Sequence, residues 1–432
     1  MIERARTQSA VPSVEITGMG IVCSIGHDLA TFTQALRQSQ SGIQRLALKT
    51  MPALAVDIGA EITGFDFAQR LNELTSIPES LASRALQLGR RAPFTIQTSI
   101  ISALQAWSQA SLSTGAIAPE RLGLIIAGHN TTQNYQYSLT DSFRQHPEYL
   151  SPRHALQFMD TNQLGVLSEM LNIRGEGFLA GAASASGNVG VIQGARLIQN
   201  GVVDVCLVVG VVADLSPIEI QSFHTIGAMG GKHFRSQPTK ACRPFDALHE
   251  GFIYGQASAC VVLESATHAE RRNAASLGRF LGGAIKLHAT ATTEPNATGE
   301  IEAMQGALKA SGLDSAQIDY LNTHGSSSPL GDRTEIEAIK AVFNQNFSKL
   351  WLNSTKSFTG HCLFSAGVVE LVSCIVQMRK GFLHANLNLE QPIDLSARFC
   401  AATSINENIQ TAMSNSFGFG GINTSIVLQS VN

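Results

Sequence analysis

Three reactive side chains sit where glycine interrupts apolar sequence: Ser184, His324 and His361. Ser184 lies in the small-residue run Gly181-Ala182-Ala183-Ser184-Ala185-Ser186-Gly187-Asn188-Val189-Gly190, between the apolar Gly177–Ala180 and an amphipathic stretch ending Ala195-Arg196-Leu197-Ile198. That pattern suits a tight strand-to-helix corner with a short side chain at its tip. Free N–H groups and the positive end of the helix dipole would face whatever lies in front of it. His324 ends the run Ile318–Thr323 and precedes Gly325 in a hydroxyl-rich loop, Ser326-Ser327-Ser328-Pro329. His361 follows Gly360, five residues after Lys356, and opens an apolar helical stretch. Two neutral imidazole N–H groups converging on one point would form a hole for an oxyanion or enolate. The loop Phe417-Gly418-Phe419-Gly420-Gly421 is flexible and aromatic enough to close a pocket over them. A metal site is not expected, because the two histidines lie far apart with no third ligand in a short motif. Cys362 beside His361 reads as packing, since adjacent residues on a helix start point apart.

These corners need strands and helices to hold them. Val14–Val22 reads as a buried strand, Asp28–Leu36 as a helix, Thr95–Gln109 as a helix on a sheet, and Leu122–Gly128 as a short strand. His129–Tyr137 reads as a polar, aromatic loop, and Gln163–Leu171 as a helix. Val203–Val212 is apolar almost throughout, as in a strand covered on both faces. Ala257–Leu263, Gly278–Ala284, Ile318–His324 and Leu350–Ser354 continue as strands, with helices at Ala266–Ala275 (Ser265 as N-cap), Glu300–Gly312 and Ala366–Arg379. Met413–Leu428 reads as a glycine-rich loop feeding a final strand, and residues 1–12 as a frayed end. Strand and helix alternate in both halves, favouring α/β layers. A strand, a glycine corner and an apolar helix occur around Ser184 and again around His361, which suggests duplication within one compact body.

The 432 residues are 44% hydrophobic and 15% charged, with a net charge of −3. That balance describes a well-buried globular protein and gives no electrostatic case for nucleic acid or an acidic membrane. Cys23, Cys206, Cys242, Cys260, Cys362, Cys374 and Cys400 are widely spaced without a Cys-x-x-Cys, and read as buried thiols in a reducing compartment. No leader-like stretch precedes Val14, and no apolar run nears the ~20 residues that span a bilayer, so the expected address is the cytoplasm.

From about Val14 to Leu428 the chain resembles the β-ketoacyl synthase family of the thiolase superfamily, particularly the elongating type that uses carrier proteins. The motifs occur in order: Val14–Gly20, Arg243-Pro244-Phe245-Asp246, His324-Gly325 through Gly331-Asp332, Lys356 through Gly360-His361, and Asn415-Ser416-Phe417-Gly418-Phe419-Gly420-Gly421-Ile422-Asn423. The resemblance implies a thiolase fold: two βαβαβαββ halves, set here at 13–264 and 265–430, in a five-layer αβαβα sandwich. It implies a homodimer, no bound cofactor, and substrates carried on the phosphopantetheine arm of an acyl carrier protein. His324 and His361 take the family's catalytic places, Lys356, Asp332 and Glu335 supporting ones. Phe417, Gly418, Phe419 and Asn423 take the pocket and gate.

The family's nucleophile is a cysteine at the corner tip, and here that place falls to Ser184. A thiol with a pKa of ~8.5 yields usable thiolate when a helix N-terminus lowers it further. A serine hydroxyl needs an adjacent base. Acyl transfer should therefore be impaired, while decarboxylation of a malonyl thioester needs only the histidine hole. This combination is similar to the serine-substituted, ketosynthase-like decarboxylases of polyketide β-branching cassettes. These make acetyl-carrier protein for a hydroxymethylglutaryl-CoA-synthase-like enzyme. Gly251-Phe252-Ile253-Tyr254-Gly255-Gln256 resembles that subgroup, and Gly255-Gln256-Ala257 departs from the usual Gly-Glu-Gly. Two other readings stay open: a non-catalytic partner like the chain-length factors, and an acyltransferase using Ser184 as nucleophile. Lys232, His233 and Arg235 form a small basic cluster that reads as a solvated loop.

Overall fold

The computed structural model describes residues 13–46, 54–113, 117–400 and 402–431; the frayed end expected over residues 1–12 lies outside them. Ten strands carry the architecture: β1 (Val14–Cys23), β2 (Leu122–Ala127), β3 (Gly177–Ala180), β4 (Val205–Gly210), β5 (Ala257–Ser265), β6 (Gly278–Leu287), β7 (Tyr320–Asn322), β8 (Trp351–Asn353), β9 (Thr411–Gly418) and β10 (Ile422–Gln429). With the two-residue edge strand Arg398–Phe399 outside β8 they form one eleven-stranded sheet. Its order is β3-β2-β4-β5-β1-β6-β10-β9-β7-β8. Adding five to each strand of the first half gives its counterpart in the second, so the topology repeats. The sense of pairing repeats as well. β2 runs parallel to β3 and β4, and β7 parallel to β8 and β9, while the remaining pairs within each half are antiparallel. Within the sheet the halves join through three β1–β6 pairs, Val14–Ile16 against Phe280–Gly278.

Helices cover both faces. α1 (Phe94–Gln109) packs on β1 and β5, where Gly18 and Gly20 leave the strand bare; a Cβ on them would fall 2.2 and 2.0 Å from the Ala106 and Ser102 carbonyls. α2 (Gln133–Gln145) and α3 (Thr161–Leu171) follow, and α4 (Ser186–Gln199) runs from the serine corner. α5 (Ala297–Ser311) packs on β6 and β10, α6 (Pro329–Phe343) packs beside it, and α7 (Ala366–Lys380) leads from the His361 corner. α4 and α7 share one core with strands of both halves, while α1 and α3, and α5 and α6, close separate cores on the outer faces. The result is five layers. β4 shows why its sequence lacks alternation: Cys206 and Val208 face the central core, and Val205, Leu207 and Val209 the outer one.

The central helices cross at their first turns. A Cβ on Gly187 would lie 2.6 Å from the Val368 amide, and one on Gly367 would lie 2.6 Å from the Asn188 amide. Each helix is entered through a 3-10 turn, Ala183–Ala185 or Leu363–Ser365, whose first residue has positive φ (+47° at Ala183, +49° at Leu363). The glycine corners are thus related by an internal two-fold, and Phe364 is the counterpart of Ser184.

Two expectations need correction. His129–Tyr137 is not one loop, because Gln133 begins α2; Thr131 and Thr132 are buried, with both Thr131 groups bonded to Asp160. Met413–Leu428 is a hairpin rather than a loop before a strand. Phe417 pairs with Asn423 and Gly418 with Ile422, leaving only Phe419–Gly421 as its turn. Glycines at the turn hid the alternation of the strand before them.

Candidate active site

The serine corner is held by a clamp. Ser186 Oγ accepts from the Ala182 amide at 2.8 Å and donates to the Ala183 carbonyl at 2.7 Å. This fixes Ala183 in its left-handed conformation, a strained state for a residue with a Cβ. Ser184 Oγ then lies 2.9 Å from His361 Nε2. The other ring nitrogen of His361, Nδ1, accepts from the Leu363 amide at 3.3 Å. The ring proton therefore resides on Nε2, and the imidazole donates to the serine. The His361 backbone is tied to Ile253 and Gly255 by hydrogen bonds of 2.6 and 3.0 Å, and Phe252 packs edge-on against its ring at 5.4 Å.

His324 follows β7. Its amide and that of Gly325 donate to the two oxygens of Glu335 at 2.8 and 2.7 Å, and Asn415 Nδ2 donates to the same carboxyl at 3.1 Å. The His324 and His361 ring centroids are 5.4 Å apart at 80°, and Phe417 lies 5.5 Å from His324. Burial, then the nearby Lys356 charge, pulls both imidazoles well below their ordinary pKa, and His361 adds to the effect on His324. Both are neutral at pH 7. Burial pushes Glu335 up to about 7 against its three N–H donors.

Lys356 is buried and paired with Glu370 of α7, whose other oxygen accepts from Ser416 Oγ at 3.2 Å. Breaking a buried ion pair leaves one charge uncompensated. Lys356→Met is thus expected to destabilise the fold by ~3–5 kcal/mol, with Lys356→Met/Glu370→Gln recovering most of it. Denaturant unfolding measures both; a single-variant loss under ~1 kcal/mol would mean that the pair carries little of this load.

Ser184, His324, His361, Phe417, Gly418, Phe419 and Asn423 all line one cavity of about 430 Å³. The supporting residues lie behind it. Asp332 accepts from the Phe245 and Ser327 amides (2.7 and 3.1 Å) and sits 2.9 Å from His249 Nδ1, so it ties the Arg243–Asp246 segment to the loop after His324. Gln256 bridges the Ile62 amide and the Tyr254 hydroxyl, at 3.0 and 3.1 Å. Lys232, His233 and Arg235 are exposed, with Arg235 on Asp57 and His233 on Glu250, each at 2.9 Å. All seven cysteines are buried free thiols, and none lines the cavity.

Sequence reasoning missed several residues. Glu370 could have been found as the lone carboxylate inside the apolar stretch of α7. His129, which lines the cavity and packs on Phe364 at 4.5 Å, and Glu300, buried in the lining of the same cavity, sit in no motif that would have marked them. Among the described residues no group of histidines, cysteines and carboxylates could hold a metal, and no helix is long and apolar enough to cross a membrane.

Comparison with known proteins agrees with this architecture. The sequence matches the beta-ketoacyl synthase N-terminal domain over residues 12–269 and the C-terminal domain over residues 278–390. It is 33% identical over 425 residues to the polyketide biosynthesis malonyl-ACP decarboxylase PksF of Bacillus subtilis, covering 98% of each chain. It is 30% identical over 426 residues to the 3-oxoacyl-[acyl-carrier-protein] synthase 2 of Coxiella burnetii, covering 97% of this chain and 98% of that one. A crystal structure of a beta-ketoacyl synthase from Burkholderia phymatum superposes with a TM-score of 0.84 at 24% identity, over 98% of this chain and 100% of the other.

Proposed function

The chain belongs to the β-ketoacyl synthase family, and we propose that it decarboxylates malonyl-acyl carrier protein to acetyl-acyl carrier protein without condensing chains. One observation carries this reading. Ser184 receives a hydrogen bond from His361 Nε2 instead of giving its proton to it, because Nδ1 is occupied as an acceptor. The serine has no base in that ring, and the N–H can pass to a substrate oxygen that displaces the serine.

The malonyl thioester oxygen replaces Ser184 Oγ as the acceptor of His361 Nε2–H, and His324 donates the second hydrogen bond. The bond between the α-carbon and the carboxylate breaks, carbon dioxide leaves, and its electron pair enters the enolate held by the two donors. With no acyl group on Ser184 to attack, the α-carbon takes a proton and becomes the acetyl methyl. The phosphopantetheine arm of a carrier protein presents the thioester, and no resident cofactor is required.

The malonyl-ACP decarboxylase name of the Bacillus relative supports the same chemistry. The β-branching role rests on the Ser184 corner and the Gly251–Gln256 segment; there the acetyl-carrier product would feed a hydroxymethylglutaryl-CoA-synthase-like enzyme in the cytoplasm. Among the described residues the edge strand β3 pairs only with β2 and leaves Phe178 and Leu179 half-buried, which supports a homodimer of chains built from the halves 13–264 and 265–430.

Intact-mass measurement of malonyl-carrier protein incubated with this protein tests the reading. Conversion to acetyl-carrier with no mass added to the protein is the expected result. Untouched malonyl-carrier would favour a non-catalytic partner, and an acylated protein a serine acyltransferase.

A further inference from the structure

Glu300 takes no part in the chemistry just described, yet it lines the same cavity as His324 and His361. It lies in the first turn of α5, is 1% exposed, and its Oε2 has no hydrogen-bond partner among the described residues. It does not cap the helix; Asn296 does, accepting from the Gly299 amide at 3.0 Å. The helix start is pressed against the gate. A Cβ on Gly299 would fall 2.5 Å from Asn423 Nδ2, and Asn423 pairs across the hairpin with Phe417. Glu300 therefore stands in the cavity wall beside the gate that closes over the histidines.

Burial comes first, and the facing carboxylates Glu335 and Glu337 of α6 come second, in holding Glu300 well above the ordinary carboxylate range. That shift favours the protonated form, the one that carries a proton to give. A buried carboxyl oxygen left without a partner is costly to a fold and is more often found where a site uses it.

Building on the decarboxylase reading, we propose that Glu300 is the general acid that protonates the enolate carbon. Its O–H bond breaks as the new C–H bond forms from the enolate electron pair, the thioester carbonyl is restored, and water entering the cavity returns a proton to the carboxylate. A proton donor built into the wall would end each turnover in acetyl-carrier and shorten the life of the enolate.

The test uses the full chain and malonyl-carrier protein in equal parts H2O and D2O, with mass spectrometry following malonyl loss and the H/D ratio of the acetyl methyl. Glu300→Gln is expected to slow acetyl-carrier formation tenfold or more and to shift the methyl H/D ratio at least twofold. Glu300→Asp, which keeps an acid, should recover rate and return the ratio toward wild type. An unchanged ratio in Glu300→Gln overturns the assignment, whether or not the rate falls, because lost structure alone does not change the proton source. Wild-type protein that leaves malonyl-carrier intact overturns the decarboxylase reading itself, which is a separate result.

Discussion

His324→Ala and His361→Ala should each cut decarboxylation by a factor of ~10²–10³, the usual loss when one donor of an oxyanion hole is removed. In the proposed mechanism both rings face the same developing charge, so losing either would leave the enolate oxygen with half its support. The cavity is enclosed by Phe252 and Phe417, and water cannot replace a missing donor with the same orientation. His361→Gln, which keeps an N–H near the position of Nε2, should lose less than His361→Ala. Since both rings have depressed pKa values, the reactive neutral form prevails above them, and their titration should leave the rate flat from pH 6 to 8. A limb near pH 6.5 that disappears in the histidine variants would contradict the neutral pair. Full rate in both alanine variants would remove the enolate hole from the mechanism. Initial rates of malonyl-carrier loss across pH decide both points.

Much of this arrangement was legible in the sequence because its cause is local. Glycine and small residues around Ser184 and His361 mark corners, as their backbone strain demands, and the unbroken apolar run at Val205–Gly210 marks a strand covered on both faces. Contacts across the two-fold were not legible. Nothing in the chain says that Ser184 and His361, 177 residues apart, lie within hydrogen-bonding distance, or that the Leu363 amide sets the tautomer. The ion pair of Lys356 with Glu370 spans a corner and a helix, and only the fold brings them together. α2 was misread for a different reason. Its polar, aromatic composition suits a loop, yet tertiary contacts through Asp160 and Asp214 anchor its start. Glu300 shows the limit most plainly, since a single acidic residue on an amphipathic helix gives no sign of burial until its neighbours are known.

On the proposed reading the corner residue separates decarboxylation from chain elongation, and Ser184 variants test that difference in opposite directions. Ser184→Ala should keep decarboxylation within about tenfold of wild type, because the hydroxyl only occupies His361 Nε2–H until the thioester oxygen displaces it. Removing that competitor could even strengthen substrate binding, lowering KM with little change in kcat. A loss of ~10³ or more would instead require an acyl-serine intermediate, the usual scale for removing a nucleophile. Ser184→Cys should gain what the wild-type chain lacks. At the start of α4 and beside the imidazole N–H, a thiol has the environment that lowers its pKa and supplies thiolate at neutral pH. Incubation with an acyl thioester should then add one acyl mass to Ser184→Cys and none to wild type or Ser184→Ala. The seven native cysteines provide the internal control, since burial pushes Cys362 and its fellows toward the inert thiol form. If Ser184→Cys stays unmodified while decarboxylating normally, the cavity itself excludes acyl groups, and the wall of His129 and Phe364 facing the corner becomes the first place to open.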